Sequence, residues 1–199
     1  VSASHRSSSS GGIAGQGWSV GAAAISRQLD RGLPRYDDRA DWHAEQDRFV
    51  LGGSELVPIC TVATGVCSGA RVGEVMPLWA NGWQYFRSRV EGSFIRVFWS
   101  PDHRTWRVQS KDGVTLEFGV PLDASDYELG LEVNPELPAE IYRWHLVRQY
   151  DSRGDVNGAG TPAPVNVVVY RYEQEGGVAY LSEIFDTPPA AQPTKAPLS

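Results

Sequence analysis

A chain of 199 residues, 41% of them apolar, is long enough to bury a sizeable core, and 21 glycines and 13 prolines punctuate it heavily. Its formal net charge of −6 and isoelectric point near 5.2 argue against nucleic acid or an anionic membrane as a partner held by bulk charge. No run approaches the roughly 18 apolar residues of a membrane helix, and seven Trp and eight Tyr against one Met favour strands over helices.

In chain order, the front (VSASHRSSSS) is small and polar, with no initiator Met or signal peptide, so the sequence reads as a piece of a longer polypeptide. Serines 7–10 lack a Gly-x-Ser-x-Gly elbow and read as a strand edge or loop. The stretch GGIAGQGWSVG (11–21) sets glycines around an indole, which marks Gly15, Gly17 and Trp18 as residues of tight packing. Its Gly15-x-Gly17-x-x-x-Gly21 spacing does not fit a dinucleotide loop. Residues 17–29 have helical composition, yet the Ile25/Ser26 alternation suits a strand equally well. Arg-x-x-Asp spacing occurs at Arg27–Asp30 and again at Arg35–Asp38, where it predicts an ion-paired turn after Pro34. Cys60 and Cys67, separated by TVATGV, suit a short staple with Gly65 at the turn. They are either bridged, which implies an oxidising compartment, or a pair of thiols, and two cysteines are too few for a closed zinc site.

From residue 83 the pattern is plainly that of strands. WQYFRSRV (83–90), FIRVFW (94–99), TWRVQS (105–110) and VTLEFG (114–119) are aromatic and β-branched runs separated by short turns. Ile95, Val97 and Trp99 alternate with Phe94, Arg96 and Phe98, and Asp112–Gly113 is the strongest hairpin signal, expected at a turn of two to four residues. Arg87, Arg89 and Arg96 alternate along these strands, as on a solvated or ion-paired face. Residues 122–140 are acidic and carry Pro135 and Pro138, which reads as a loop with at most one helical turn. A second long hairpin joins 141–150 to 166–174, YLSEIF (180–185) closes the ordered part, and 186–199 is a Pro/Ala-rich linker or tail. The fold class is mainly β: an antiparallel meander or curved sheet.

Catalytic chemistry finds little support. His5, His43, His103 and His145 are isolated, without metal-ligand spacing. The loop at Asp151, Asp155 and Asn157 carries only half of a calcium-binding pattern, and Arg153-Gly154-Asp155 is a tripeptide common by chance. Glu173 and Glu175 have the Glu-x-Glu spacing of ADP-ribosyltransferases, but a charged strand end before Gly176–Gly177 explains them as well. No catalytic, cofactor-binding or metal-binding residue is assigned, and the chain is expected not to be an enzyme. An alternative is a β-sandwich that binds carbohydrate or a surface protein, with Trp79, Trp83, Tyr85 and Trp99 as a stacking platform.

The segments GQGWSV, ISR (25–27), RGLPRYDD (31–38), FVLGGSELVP (49–58), RVEGSFIRV (89–97), WRVQSKDGVTLEFG (106–119) and YRWHLVRQYDSRGD (142–155) follow a recognisable order. Together they resemble the N-terminal domain shared by the Salmonella plasmid virulence B protein and the B components of insecticidal toxin complexes, across residues 1–185. YDSRG (150–154) is similar to the core of the YD repeats that build those toxins' shells. The chain departs from the pattern at Gln16, in the small-residue run Gly21–Ala24, and in a cysteine-bearing insertion at 59–82. The resemblance implies a structural module of a large secreted toxin-like protein, part of a larger β-shell that encloses or delivers a toxic payload. Its partners would be other segments of the same protein or co-assembled toxin components, in an extracellular setting. The family's ADP-ribosylating activity belongs to another domain and does not transfer. A segment cut from such a shell is expected to expose open strand edges.

Overall fold

The structure, a computed structural model, describes residues 2–5, 18–21, 23–30, 32–38, 46–59, 77–80, 82–90, 92, 94–121, 130–151 and 165–186. Their regular elements are β-strands, apart from one 3-10 turn at Leu78–Ala80. No helix among them is long and apolar enough to cross a membrane. Strands β1 (Ser2–His5) and β2 (Trp18–Gly21) form a small antiparallel pair in which Trp18 lies opposite His5. The stretch with both helical and strand character becomes β2 and then β3 (Ala24–Arg27). β4 (Phe49–Leu51) and β5 (Ser54–Pro58) form a hairpin about Gly52–Gly53.

The expected meander is present as β6 (Gln84–Ser88), β7 (Arg96–Trp99), β8 (Thr105–Gln109) and β9 (Val114–Gly119), each paired antiparallel with the next. The alternation sorts side chains as a pleated strand must. Phe86, Val97, Trp99, Trp106, Val108 and Phe118 enter one core. Tyr85 and Phe98 point the other way, into a smaller cluster covered by Trp83 and Ala80. At the β8–β9 turn, the Ser110 N–H donates to the Val114 carbonyl and the Gly113 N–H to the Ser110 carbonyl. That leaves a three-residue loop, Lys111-Asp112-Gly113, whose last residue needs the left-handed φ of 89° that glycine tolerates.

Residues 130–140, expected as loop, instead form β10 (Leu131–Asn134) and the start of β11 (Leu137–Asp151). Pro135 sits between the strands, and the register jumps from Val133↔Ile141 to Asn134↔Leu137, leaving Pro138 outside the ladder it cannot donate to. The prolines therefore irregularise this hairpin without abolishing it.

β11 also closes the sheet. Along one edge it pairs with β10 and then β9; along the other, with β3 and then β12 (Val165–Glu175). The order β11-β3-β4-β5-β6-β7-β8-β9 returns to β11, an eight-stranded barrel-like ring. The expected curved sheet is thus curved to closure, and the open edges expected of a shell fragment are absent from the ring, since closure leaves its strands paired on both sides. β12 and β13 (Val178–Asp186) extend from β11 as a hairpin that lies against β10, where the Val133 N–H donates to the Gly177 carbonyl. The outermost strand, β13, carries an extra residue at Ser182 opposite Arg171–Tyr172, a bulge of the kind that blunts sheet edges.

Candidate functional site

β3 directs Ile25 and Arg27 into the barrel, and the Arg27 side chain is only 1% exposed. A buried guanidinium requires charge and hydrogen-bond partners. Arg27 donates from both terminal nitrogens to the two oxygens of Asp38, at 2.7 and 2.6 Å, and to Asp47 at 2.9 Å. Its Nε donates to the Ile141 carbonyl at 2.7 Å. The guanidinium lies over the rings of Tyr36, Phe49 and Trp144, at 4.9, 5.1 and 5.4 Å from their centroids. Asp47 also accepts the backbone N–H groups of Arg35 and Tyr36. One cation therefore ties the 34–38 loop, the approach to β4 and the β11 backbone onto the aromatic core.

That core is a cluster of rings. Trp99 stacks on Trp106 at 4.9 Å, and Phe49 and Trp144 meet them edge-on. The His103 carbonyl accepts both the Trp99 and Trp144 indole N–H groups, at 3.1 and 3.0 Å, and the His103 ring stacks on Trp99 at 4.2 Å. Beside this arrangement opens a pocket of about 870 Å³, lined by Tyr36, Asp38, His103, Arg104, Ile141 and Gln174 among others. Two of its residues, Tyr36 and His103, hold left-handed backbone conformations, with φ of 55° and 60°.

Two of the pocket's ionisable groups, His103 and Tyr36, are shifted toward their neutral forms. Burial pushes the His103 imidazole below its ordinary value of 6.5; Asp38 and Asp102 oppose the shift and Arg27 favours it. Burial raises the Tyr36 phenol, aided by Glu140, Asp47 and Asp38 against Arg27. The Ser100 hydroxyl donates to Asp102 and accepts the Thr105 N–H. Among the described residues, no three His, Cys, Asp or Glu side chains converge as a metal site requires.

Two further charged clusters lie outside the ring's core. Glu117, 1% exposed, accepts from Arg107 at 2.8 Å and from the Tyr150 hydroxyl at 2.9 Å; burial, then the Glu117 charge, raises that phenol well above its ordinary range. Arg107 in turn lies under Trp79, 4.3 Å from the ring centroid. On β10, Glu132 meets His145 at 2.7 Å and Arg143 at 3.2 Å. Burial pushes the Glu132 carboxyl up, but hydrogen bonds from His145 and Tyr142 and the Arg143 charge outweigh it, so the group titrates below 4.5. A carboxyl depressed on folding stabilises the fold fully above its unfolded value and loses that contribution as pH falls through the folded one. Glu132→Gln is therefore expected to flatten the acid limb of the stability–pH curve below about pH 4.5. Thermal melts of both proteins at pH 7 and at about pH 3 check this; identical pH dependence would remove the assignment.

Of the residues the sequence pointed to, Asp38 accepts both terminal nitrogens of Arg27, and the Arg35 backbone N–H donates to Asp47. Asp112 and Gly113 form the expected turn. Gly15, Gly17, Cys60 and Cys67 lie outside the described residues. Glu173 and Glu175 are exposed near the end of β12, whose Val167, Tyr170 and Tyr172 are buried, the last beside the bulge in its pairing with β13. The carbohydrate platform is not favoured: Tyr85 and Trp99 are fully buried and point to opposite sides of the sheet, and Trp83 is 7% exposed. Arg27, Asp47 and His103 were not singled out as a group. Only the motif position of Arg27 and its repeated Arg-x-x-Asp spacing hinted at its role.

The sequence pattern of the family described as SpvB, Salmonella virulence plasmid 65kDa B protein, matches residues 1–190. The chain belongs to this family. Among solved structures, this SpvB-family chain resembles the N-terminal domain of effector protein SpvB from Salmonella typhimurium strain LT2. Identity is 17% and the TM-score 0.58, covering 94% of this chain and 59% of that one. It also resembles a chain of the Photorhabdus luminescens Tc holotoxin pore, at 20% identity and a TM-score of 0.57, covering 97% of this chain and 9% of that one. The crystal structure of TcdB2-TccC3 gives 20% identity and a TM-score of 0.57, with 92% and 9% covered. The SpvB-family chain thus spans about three-fifths of the first of these structures and under a tenth of the others. Comparison with curated proteins yields no match.

Proposed function

We propose that this chain is a non-catalytic structural module of a secreted toxin-type protein, contributing its barrel to a β-walled assembly that encloses or delivers a payload. The observation that carries the reading is the family match over residues 1–190. The buried chemistry of the barrel mouth supports it: Arg27, Asp38 and Asp47 hold one another, and the indoles are held by a backbone carbonyl. These are arrangements that fix a scaffold. The partners are other segments of the same large protein or co-assembled toxin components, as in the TcdB2-TccC3 and Tc holotoxin structures it resembles. Reading the genomic sequence on either side of the coding segment tests this placement. YD-repeat coding sequence nearby is expected; flanks that encode no toxin-type protein overturn it.

The rival reading is ADP-ribosyl transfer through Glu173 and Glu175. Both are exposed, and neither lines the pocket beside Arg27. Incubation with radiolabelled NAD and host-cell extract is expected to leave proteins unlabelled. Labelling that disappears in Glu175→Gln would replace the structural reading with an enzymatic one.

A further inference from the structure

The mouth of the barrel holds features that the scaffold reading does not require. β3 pairs with β11 only at Arg143, Trp144 and His145, so toward residue 137 the β3-side edge of β11 has no described strand along it. The Ile141 carbonyl on that edge is taken by a side chain, the Arg27 Nε. Residues 138–140 also stand outside the β10 register, which passes from Val133↔Ile141 to Asn134↔Leu137, and Pro138 and Ala139 are exposed. This stretch borders the pocket of about 870 Å³, whose apolar side is formed by Leu131, Val133 and Ile141. Ligand pockets of roughly 300–1,000 Å³ are found preferentially in places such as the mouths of β-barrels.

Tyr36 and His103 supply the second, independent observation. Among the described residues only four non-glycines hold a left-handed backbone, and these two line the same pocket. Such strain persists only where the surroundings hold it, and it gathers at binding sites. Neither the Tyr36 hydroxyl nor the His103 imidazole has a hydrogen-bond partner among the described residues. Their ring faces are used instead: Arg27 lies over the phenol, and the imidazole stacks on Trp99. Both groups are shifted toward their neutral forms, so they offer hydrogen bonds without charge, the phenol a donor and the imidazole one donor and one acceptor. Asp38 is already committed to Arg27, and Asp102 and Arg104 at the rim are exposed to water.

We infer that the barrel mouth is a docking site for an uncharged, extended polypeptide segment that carries a bulky apolar residue. That side chain packs on Leu131, Val133 and Ile141. The flanking main chain runs beside residues 138–140 and bonds to the Tyr36 hydroxyl and the His103 imidazole. A main chain answers this arrangement because it brings amide N–H groups and carbonyls to both sides of one side chain, at an edge that no described strand occupies. The inference does not depend on the scaffold reading, since a barrel outside any assembly would have the same mouth.

Fluorescence anisotropy on the full 199-residue chain tests the proposal, with a labelled, end-capped peptide Gly-Ala-Leu-Phe-Leu-Ala-Gly. Binding is expected, with little change as salt rises from about 50 to 500 mM, because no exposed charge pair forms to be screened. Tyr36→Phe removes only the hydroxyl and keeps the ring over Arg27; it should weaken binding about fivefold, the worth of one hydrogen bond. Ala139→Glu puts a carboxylate beside the apolar wall from an exposed position and should weaken binding by at least about tenfold. Both variants should melt within about 2 °C of the native chain, which separates a docking role from a merely structural one. Peptide addition should also shift the His103 imidazole resonances. Absence of binding by the native chain would overturn the proposal, as would unchanged binding by both variants. Equal binding of a peptide with glutamates in place of its leucines, or of end-capped leucine alone, would overturn it too.

Discussion

Replacing Arg27 by methionine is expected to lower the stability of the chain by about 3–5 kcal/mol, the cost of breaking a buried ion pair by removing one partner. Asp38 and Asp47 have side chains 14% and 9% exposed, so both carboxylates would lose their cation in a poorly hydrated space while facing each other. The Ile141 carbonyl would lose its donor as well. Methionine fills much of the volume, so packing loss is not the main effect. Urea midpoints with an unchanged m-value measure it. Two comparisons locate the cause. Arg27→Lys should recover little, because an ammonium cannot make the forked contact with Asp38. Adding Asp38→Asn and Asp47→Asn to Arg27→Met should recover part of the loss, because the uncompensated charges disappear. A loss under about 1 kcal/mol for Arg27→Met would show that the ion cluster does not hold the barrel mouth.

Gly119→Ala is expected to be comparably damaging, at about 3 kcal/mol or more from combined backbone strain and overpacking. The residue ends β9 at a φ of 86°, and a methyl group there would collide with the Arg104 carbonyl and stand 2.7 Å from Trp144 Cδ1. Neither neighbour can retreat cheaply. Arg104 belongs to the β7–β8 turn whose backbone bonds to Val120, and Trp144 is anchored by its indole N–H to His103. Gly53 is the control: its φ is 81°, but nothing lies within 4 Å of a methyl group placed there, so Gly53→Ala reports strain alone. The expected order of melting temperatures is native, then Gly53→Ala, then Gly119→Ala. Equal losses at the two sites would show that close packing at Gly119 contributes nothing.

Local pattern carried much of the fold. Aromatic and β-branched runs at 105–110 and 114–119, joined by Lys111-Asp112-Gly113, specify a hairpin without reference to any distant residue, because pleat period and turn geometry are local properties. The family resemblance was likewise legible, since it rests on short motifs such as RGLPRYDD whose order survives at low identity. The β10–β11 hairpin was hidden because two prolines near its turn are a local signal against a strand, and only the skipped register shows how they are accommodated. Barrel closure was out of reach of local reading. It depends on β11 meeting β3 across more than a hundred residues and on β11 exchanging β10, its neighbour up to Trp144, for β9 from Leu146 onward. The site followed the same division. Asp38 could be marked as charged and next to a turn, but its partner was set by three-dimensional placement. Arg27 points inward because β3 is part of a closed ring, and the low-polarity space this creates brings Asp38, Asp47 and the Ile141 carbonyl onto one guanidinium. Sequence alone determined the strands of the 83–119 meander and which family the chain belongs to; the tertiary structure decided which charges are buried together, because burial belongs to the closed sheet as a whole.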